Sequence, residues 1–419
     1  MKFFKNFLFN NYNGILLFFV AVGLCHFTGS RGVFPIDSFA HYDSGYRVLN
    51  GEHPFKDYWV VSGPFVDYLQ SIVFYIFGTS WQSYILNSSI INGIITLSTY
   101  YLFINLGLKK NLSFFYSICF AILAYPSSGT PFVDHHSAFL SILAIYSLIF
   151  ALKTNKNFFW FLIPIFIILA FLSKQVPSTY IFFSIAFMIL LHFSHQDKKN
   201  IINTSLTLFM SSILTIIIIF SFFKINSIPI ENFITQYLLY PSTIGSERYE
   251  LINYNFKNVF SNFKFIYFSL FILLLLSFKN SKIKKDFFVS FDFKLILISI
   301  LSFISLVQHL IVTKNQIFIF FLIPLFLGFA HIHLKKFDGK KKFLISLFTI
   351  LFCTIVTIKY HYRFNIDRKF HELNEIKFSD SIDAQKISKE FKGLNWITPK
   401  MFRNYDTDIE IDLLNNFNK

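Results

Sequence analysis

The sequence predicts an all-α polytopic membrane protein, a bundle of about 11 transmembrane helices with long loops on one side. Three observations predict it. First, 54% of the 419 residues are hydrophobic and mean hydropathy is +0.53, more apolar side chain than a soluble core of that length buries. Second, apolar runs such as 158–172 and 206–223 approach the roughly 20 residues that cross a hydrocarbon core. Third, lysine clusters separate every second apolar run, the pattern the positive-inside rule produces.

The elements follow in order from that rule. With Lys2 and Lys5 inside, the first crossing spans about 14–29 and exits. Its start passes for a signal peptide, but Gly29-Ser30-Arg31-Gly32 is a poor cleavage site, so a retained helix is expected. The loop of about 30–80 then lies outside. Within it, 65–77 is apolar but short and carries Asp67 and Gln70, so an interfacial helix is expected. The second crossing, about 81–106, returns to Lys109 and Lys110. The third exits near Tyr125-Pro126, and the fourth, about 137–152, comes back to Lys153 and Lys156. The fifth rises to Lys174-Gln175 and the sixth falls to Asp197-Lys198-Lys199. The seventh, 201–223, exits to a second outer loop of about 224–260. The eighth returns to Lys279 through Lys285, and the ninth exits near Thr313-Lys314-Asn315. The tenth descends to Lys335 through Lys342, and the eleventh, about 343–358, exits again. Residues 1–359 thus form the membrane domain and 360–419 a small outer segment, in which 381–391 has the spacing of a short amphipathic helix.

Several function classes are excluded or weakened. The net charge of +15 sits in short loops between apolar runs, not on one basic domain, so nucleic acid is not the partner. Phenylalanine, 61 residues, reads as lipid-facing filler. Cys25, Cys119 and Cys353 lie inside apolar runs as small core residues, with no metal spacing.

The polar groups that carry chemistry gather in the outer loops. The first loop holds Asp37, His41 and Asp43, then Gly51-Glu52-His53-Pro54-Phe55-Lys56-Asp57-Tyr58, then Gly63-Pro64. Asp134-His135-His136 stands between the third and fourth crossings. Adjacent imidazoles point about 100° apart on a helix and rarely chelate one ion alone, so metal binding and interfacial solvation both stay open, and a divalent metal is undecided. Lys174-Gln175 lies at an outer helix end, where a lysine is disfavoured. It either snorkels to the interface or supplies a point charge for a phosphate. The second loop offers Gln236, Tyr240-Pro241 and Arg248; Arg248 grips a phosphate or pairs with a neighbouring Glu. Gln308-His309 and Lys314 to Gln316 read as interfacial anchors.

The first loop resembles that of the membrane glycosyltransferases with the GT-C fold, the group of ArnT, protein O-mannosyltransferase and Rgt-like enzymes. Asp37, His41, Gly45, Leu49 and Gly51 fall at matching spacing, as do Pro54, Phe55, Asp57, Gly63, Pro64, Phe77 and Gly78. The chain departs from the pattern at Ser38, where many relatives have Glu, and at Tyr46, where many have Arg. The resemblance implies a GT-C-type bundle with Asp37 as catalytic base. His41, Asp57, Asp134, His135, Lys174, Gln175, Tyr240 and Arg248 would line the substrate site. It implies a sugar donor on polyprenyl phosphate or diphosphate, and a glycan, lipid or protein acceptor. It also implies an inverting reaction on the periplasmic face of a bacterial inner membrane; no cofactor is expected, and members of the wider fold differ on a divalent metal. Two other classes share the crossings and cations: a transporter or flippase for an anionic lipid-linked or small solute, and a non-catalytic membrane subunit. Transporters more often carry inverted repeats and mid-membrane breaks, and the sequence shows no convincing repeat.

Overall fold

The structure is a computed structural model. It describes residues 2–30, 40–124, 129–250, 252, 254–280, 289–313, 319–334, 337 and 339–363, and in the tail 379, 381–386, 389, 392–393 and 395–396. Asp37 and Lys314 to Gln316 lie outside the described residues.

Helix follows helix. The chain begins with α1 (Lys2–Ser30), α2 (Ala40–Leu49), α3 (Pro64–Phe77), α4 (Trp81–Asn105) and α5 (Lys110–Ala124). Next come α6 (Val133–Thr154), α7 (Asn157–Ser173), α8 (Gln175–Phe193) and α9 (Lys198–Ile225). The second outer loop is folded, as α10 (Ile230–Phe233), a π-helical turn (Ile234–Leu239), α11 (Tyr240–Glu250) and a second π turn (Lys257–Ser261). The bundle closes with α12 (Lys264–Asn280), α13 (Phe291–Thr313), α14 (Leu322–His333) and α15 (Gly339–His361). In the tail, β1 (Ile382–Asp383) pairs antiparallel with β2 (Asn395–Trp396) and a 3-10 turn covers Ala384–Lys386. The amphipathic helix expected there is therefore not formed over those residues; the strand pair takes the backbone hydrogen bonds instead.

Among the described residues six helices are long and apolar enough to cross a membrane: α1, α6, α8, α9, α13 and α15. The other expected crossings are shorter or more polar, and α4 shows why. Its Asn87, Ser88, Ser89, Asn92, Thr96 and Thr99 are all buried. They bond within protein: Asn87 Nδ2 to Gln70 Oε1 at 3.0 Å, Ser88 Oγ to the Gly129 carbonyl, and Thr99 Oγ1 with the Tyr146 hydroxyl at 2.9 Å. A helix enclosed by other helices needs no apolar coat, and small polar residues let its neighbours approach. Burial sorts the helices by position. In its most apolar stretch α6 is 72% buried by other parts of the protein, whereas α9 is 17% buried and leaves most of its apolar side chains exposed.

The short α3 has reversed polarity. Asp67 and Gln70 are buried, while Ile72, Tyr75, Ile76 and Phe77 are exposed. That face suits a helix lying at the bilayer edge with its polar side against protein.

Glycines set the close approaches that fix the outer end. Gly129 has φ +73°, and a Cβ there would fall 2.2 Å from the Gly29 nitrogen. The end of α1 is thereby held against the start of the α6 segment. Gly63 has φ +81°, and a Cβ there would fall 2.6 Å from both His41 Cε1 and Val133 Cγ1. The first outer loop can therefore pass directly beside the first residue of α6.

Candidate functional site

A break between α7 and α8 builds the site. Pro177 disfavours helical backbone at the residue before it, and Val176 is extended at φ −126°, ψ 132°. Lys174 is extended too, at φ −161°, ψ 141°. Backbone freed at such a break must find partners when it lies beside lipid. The Lys174 carbonyl accepts from Ser137 Oγ at 3.1 Å and Ser178 Oγ at 2.7 Å.

The Lys174 side chain runs to the first turn of α6. Its Nζ donates to Asp134 Oδ2 at 2.7 Å, and His309 Nε2 donates to Asp134 Oδ1 at 2.7 Å. Asp134 and His309 are fully buried, and the Lys174 side chain is 20% exposed. A carboxylate in the first helical turn also meets the positive end of the helix dipole. The cost of burying this charge is offset by two charge-assisted hydrogen bonds and the dipole together.

In front of Lys174 lies a cavity of about 550 Å³. Lys174 and Gln175 form its back, Val61 and Ser62 come from the first outer loop, Thr313 from the end of α13, and Arg248 and Tyr249 from α11. Gln175 Nε2 donates to the Val61 carbonyl at 2.9 Å and the Tyr237 carbonyl at 2.7 Å, so one side chain ties both outer loops to the helix break. The loops are zipped further by Val60 N to Gln236 Oε1 at 3.0 Å and Asn232 Nδ2 to the Phe55 carbonyl at 2.7 Å. The Tyr180 hydroxyl hydrogen-bonds that of Tyr249, joining α8 to α11 across the cavity.

The expected site residues divide. Lys174, Gln175 and Arg248 share the cavity, and Asp134 stands directly behind Lys174. The Arg–Glu pair expected in the second loop is not among the ion pairs of the described residues, and Arg248 is exposed on the cavity wall. None of the other described candidates lines the cavity. His41 is buried and its Nδ1 donates to Asp67 Oδ1 at 2.8 Å, locking α2 on α3. Burial pushes the Asp67 carboxyl above the usual range, against the opposing hydrogen bond from His41. Asp57 is exposed, and its Oδ2 accepts from the His53 N–H at 2.8 Å, so it closes a turn. Tyr240 packs edge-on against Trp59 with ring centres 5.5 Å apart.

Interfacial solvation of the histidine pair is overturned, because both rings are buried. His136 Nδ1 donates to the Phe132 carbonyl at 3.0 Å, and its Nε2 lies 3.3 Å from Asn87 Oδ1. His135 sits between Phe132 and Phe139, with both ring nitrogens unpartnered among the described residues. No group of three His, Cys, Asp or Glu side chains able to hold a metal ion occurs among the described residues. His309, expected as an interfacial anchor, is instead a partner of Asp134 from 175 positions away. Its sequence signal is the Gln308-His309 pair one turn before the end of a mostly apolar helix.

The dolichyl-phosphate-mannose-protein mannosyltransferase family matches residues 53–223. The match supports a GT-C membrane glycosyltransferase over this segment. The GT-C match covers α3 through α9, so it includes Asp134, Lys174 and Gln175 and ends before Arg248 and His309. No curated protein matches the chain.

Proposed function

We propose that the chain transfers a sugar from a polyprenyl phosphate or diphosphate donor to an extracytoplasmic acceptor, a cell-surface glycan, lipid or protein, in a bacterial inner membrane. The observation that carries this reading is the 550 Å³ cavity at the expected outer end, with Lys174 and Arg248 on its wall. Two cations suit an anionic headgroup, and the apolar lipid-facing helices suit a prenyl tail. Asp37 is the base in this reading. The chain leaves α1 at Ser30 and resumes at Ala40, and both ends adjoin the α6 start through the Gly29–Gly129 and His41–Gly63–Val133 contacts. An acceptor hydroxyl oxygen attacks the anomeric carbon while the carbon–oxygen bond to phosphate breaks. The phosphate leaves with the electron pair, and the hydroxyl proton passes to the Asp37 carboxylate.

Purified protein supplied with radiolabelled lipid-phosphate sugars tests this. Asp37→Asn should lower transfer at least about 100-fold, the usual worth of a general base, at unchanged yield of folded protein. Wild-type turnover by that variant removes Asp37 from the reaction. Uptake of substrate into proteoliposomes with no glycan product overturns the enzyme reading.

A further inference from the structure

Asp134 holds two donors, and the second one has no part in the reaction above. His309 is fully buried on α13, and its Nε2 spends its proton on Asp134 Oδ1 at 2.7 Å. Its Nδ1 is unpartnered among the described residues. A neutral imidazole that donates through Nε2 has Nδ1 as an acceptor, and no buried donor is then left unsatisfied there. Thr313 Oγ1 donates to the His309 carbonyl at 2.8 Å, fixing the last turn of α13 where Val312 and Thr313 enter the cavity wall.

An ammonium has three donors. One Lys174 N–H is taken by Asp134 Oδ2, and the side chain itself borders the cavity. An anion entering the cavity competes with Asp134 for the same ammonium. If Lys174 were the only partner of Asp134, moving it toward the anion would strand a buried carboxylate, which is costly. His309 prevents that, because it continues to satisfy Asp134 while Lys174 turns outward.

We infer that His309 is a positioning residue for phosphate recognition: by holding the buried Asp134 carboxylate, it releases Lys174 to bind the donor's phosphate. This rests on the proposed reading of the cavity as a lipid-phosphate site. His309 touches no substrate in this scheme and acts through Asp134 alone.

Undecaprenyl phosphate and undecaprenol, titrated into purified protein in detergent, separate the two ideas without knowledge of the sugar. Wild-type protein should bind the phosphate at least about tenfold tighter than the alcohol, the worth of one hydrogen bond to a charged group. Equal binding of the two overturns the phosphate reading itself. If the phosphate is preferred, His309→Leu should weaken its binding about tenfold or more, leaving undecaprenol binding unchanged. His309→Gln, which restores an N–H donor, should stay within about threefold of wild type. In an Asp134→Asn background, where no buried carboxylate needs holding, His309→Leu should change phosphate binding less than about twofold. Wild-type phosphate binding by His309→Leu, or an undiminished loss in the Asp134→Asn background, overturns the role of His309. A merely structural histidine would weaken both ligands alike and would not be rescued by glutamine.

Discussion

At Asp134 three helices meet through one carboxylate: α6 carries it, Lys174 comes from the α7–α8 break, and His309 comes from α13. Removing one partner of a buried ion pair leaves the other charge uncompensated, at a cost of about 3–5 kcal/mol. Lys174→Met should therefore lower thermal stability in detergent, but by less than that full cost, because His309 still donates to Asp134. Asp134→Asn combined with Lys174→Met should recover most of it, because no unpaired charge is then buried. Two losses that simply add would show that the two groups are not coupled. Asp67 gives a pH signature. Its carboxyl is raised by burial, so the folded chain holds a proton the unfolded chain has lost. The contribution is full below the ordinary value of 3.8 and falls as pH rises through the raised one. Wild-type thermal stability should thus decline as pH rises above about 4 more steeply than that of Asp67→Asn. Parallel profiles would place the slope on another group. The sequence singled out Asp134 and Lys174 by chemistry, but their pairing is not legible there, since nothing in the chain between these two residues, 40 positions apart, records which helix ends meet.

At the scale of elements, the outer layer depends on a few backbone contacts that admit no side chain. Gly129 combines a left-handed φ of +73° with backbone from Gly29 within 2.4 Å of where a Cβ would stand. Gly129→Ala should strain both, and folded yield should fall sharply. The same change at Gly245, where a Cβ would meet nothing within 4 Å, should be tolerated. Size-exclusion profiles of the two variants compare them directly. The apolar runs meeting at Lys174-Gln175 made the boundary of α7 and α8 legible, but the extended Val176 before Pro177 emerged only in the structure. The folded second loop was less legible. Residues of about 224–260 were expected as an outer loop, yet they hold α10, a π turn and α11. Local pattern is silent where the stabilising partners, here Val60 and Phe55 across the outer face, are remote in sequence.

For the whole molecule, lysine distribution sets the direction in which the bundle is inserted. The three natural cysteines are buried, so single engineered cysteines report side without much background. In intact cells an impermeant maleimide should label Asp57→Cys and Ser246→Cys, both at exposed positions of the outer loops. Asn155→Cys, in the exposed turn between α6 and α7, should label only after the membrane is opened. The reverse pattern would put the cavity on the cytoplasmic side and end the case for an outer-leaflet donor.

Composition and charge spacing alone determined that this chain is a polytopic helical membrane protein. The apolar runs also located most of the long helices, though not their ends, and the first-loop pattern pointed to the GT-C family. Those properties are local or additive, so they survive without knowledge of contacts. Which polar groups converge was decided only by tertiary structure. His41 and Asp57 look alike on paper to Asp134 and Lys174, yet the first two hold loops together while the last two meet behind a cavity. His309 entered that site because the end of α13 packs beside the start of α6, a consequence of helix packing that no spacing in the sequence encodes.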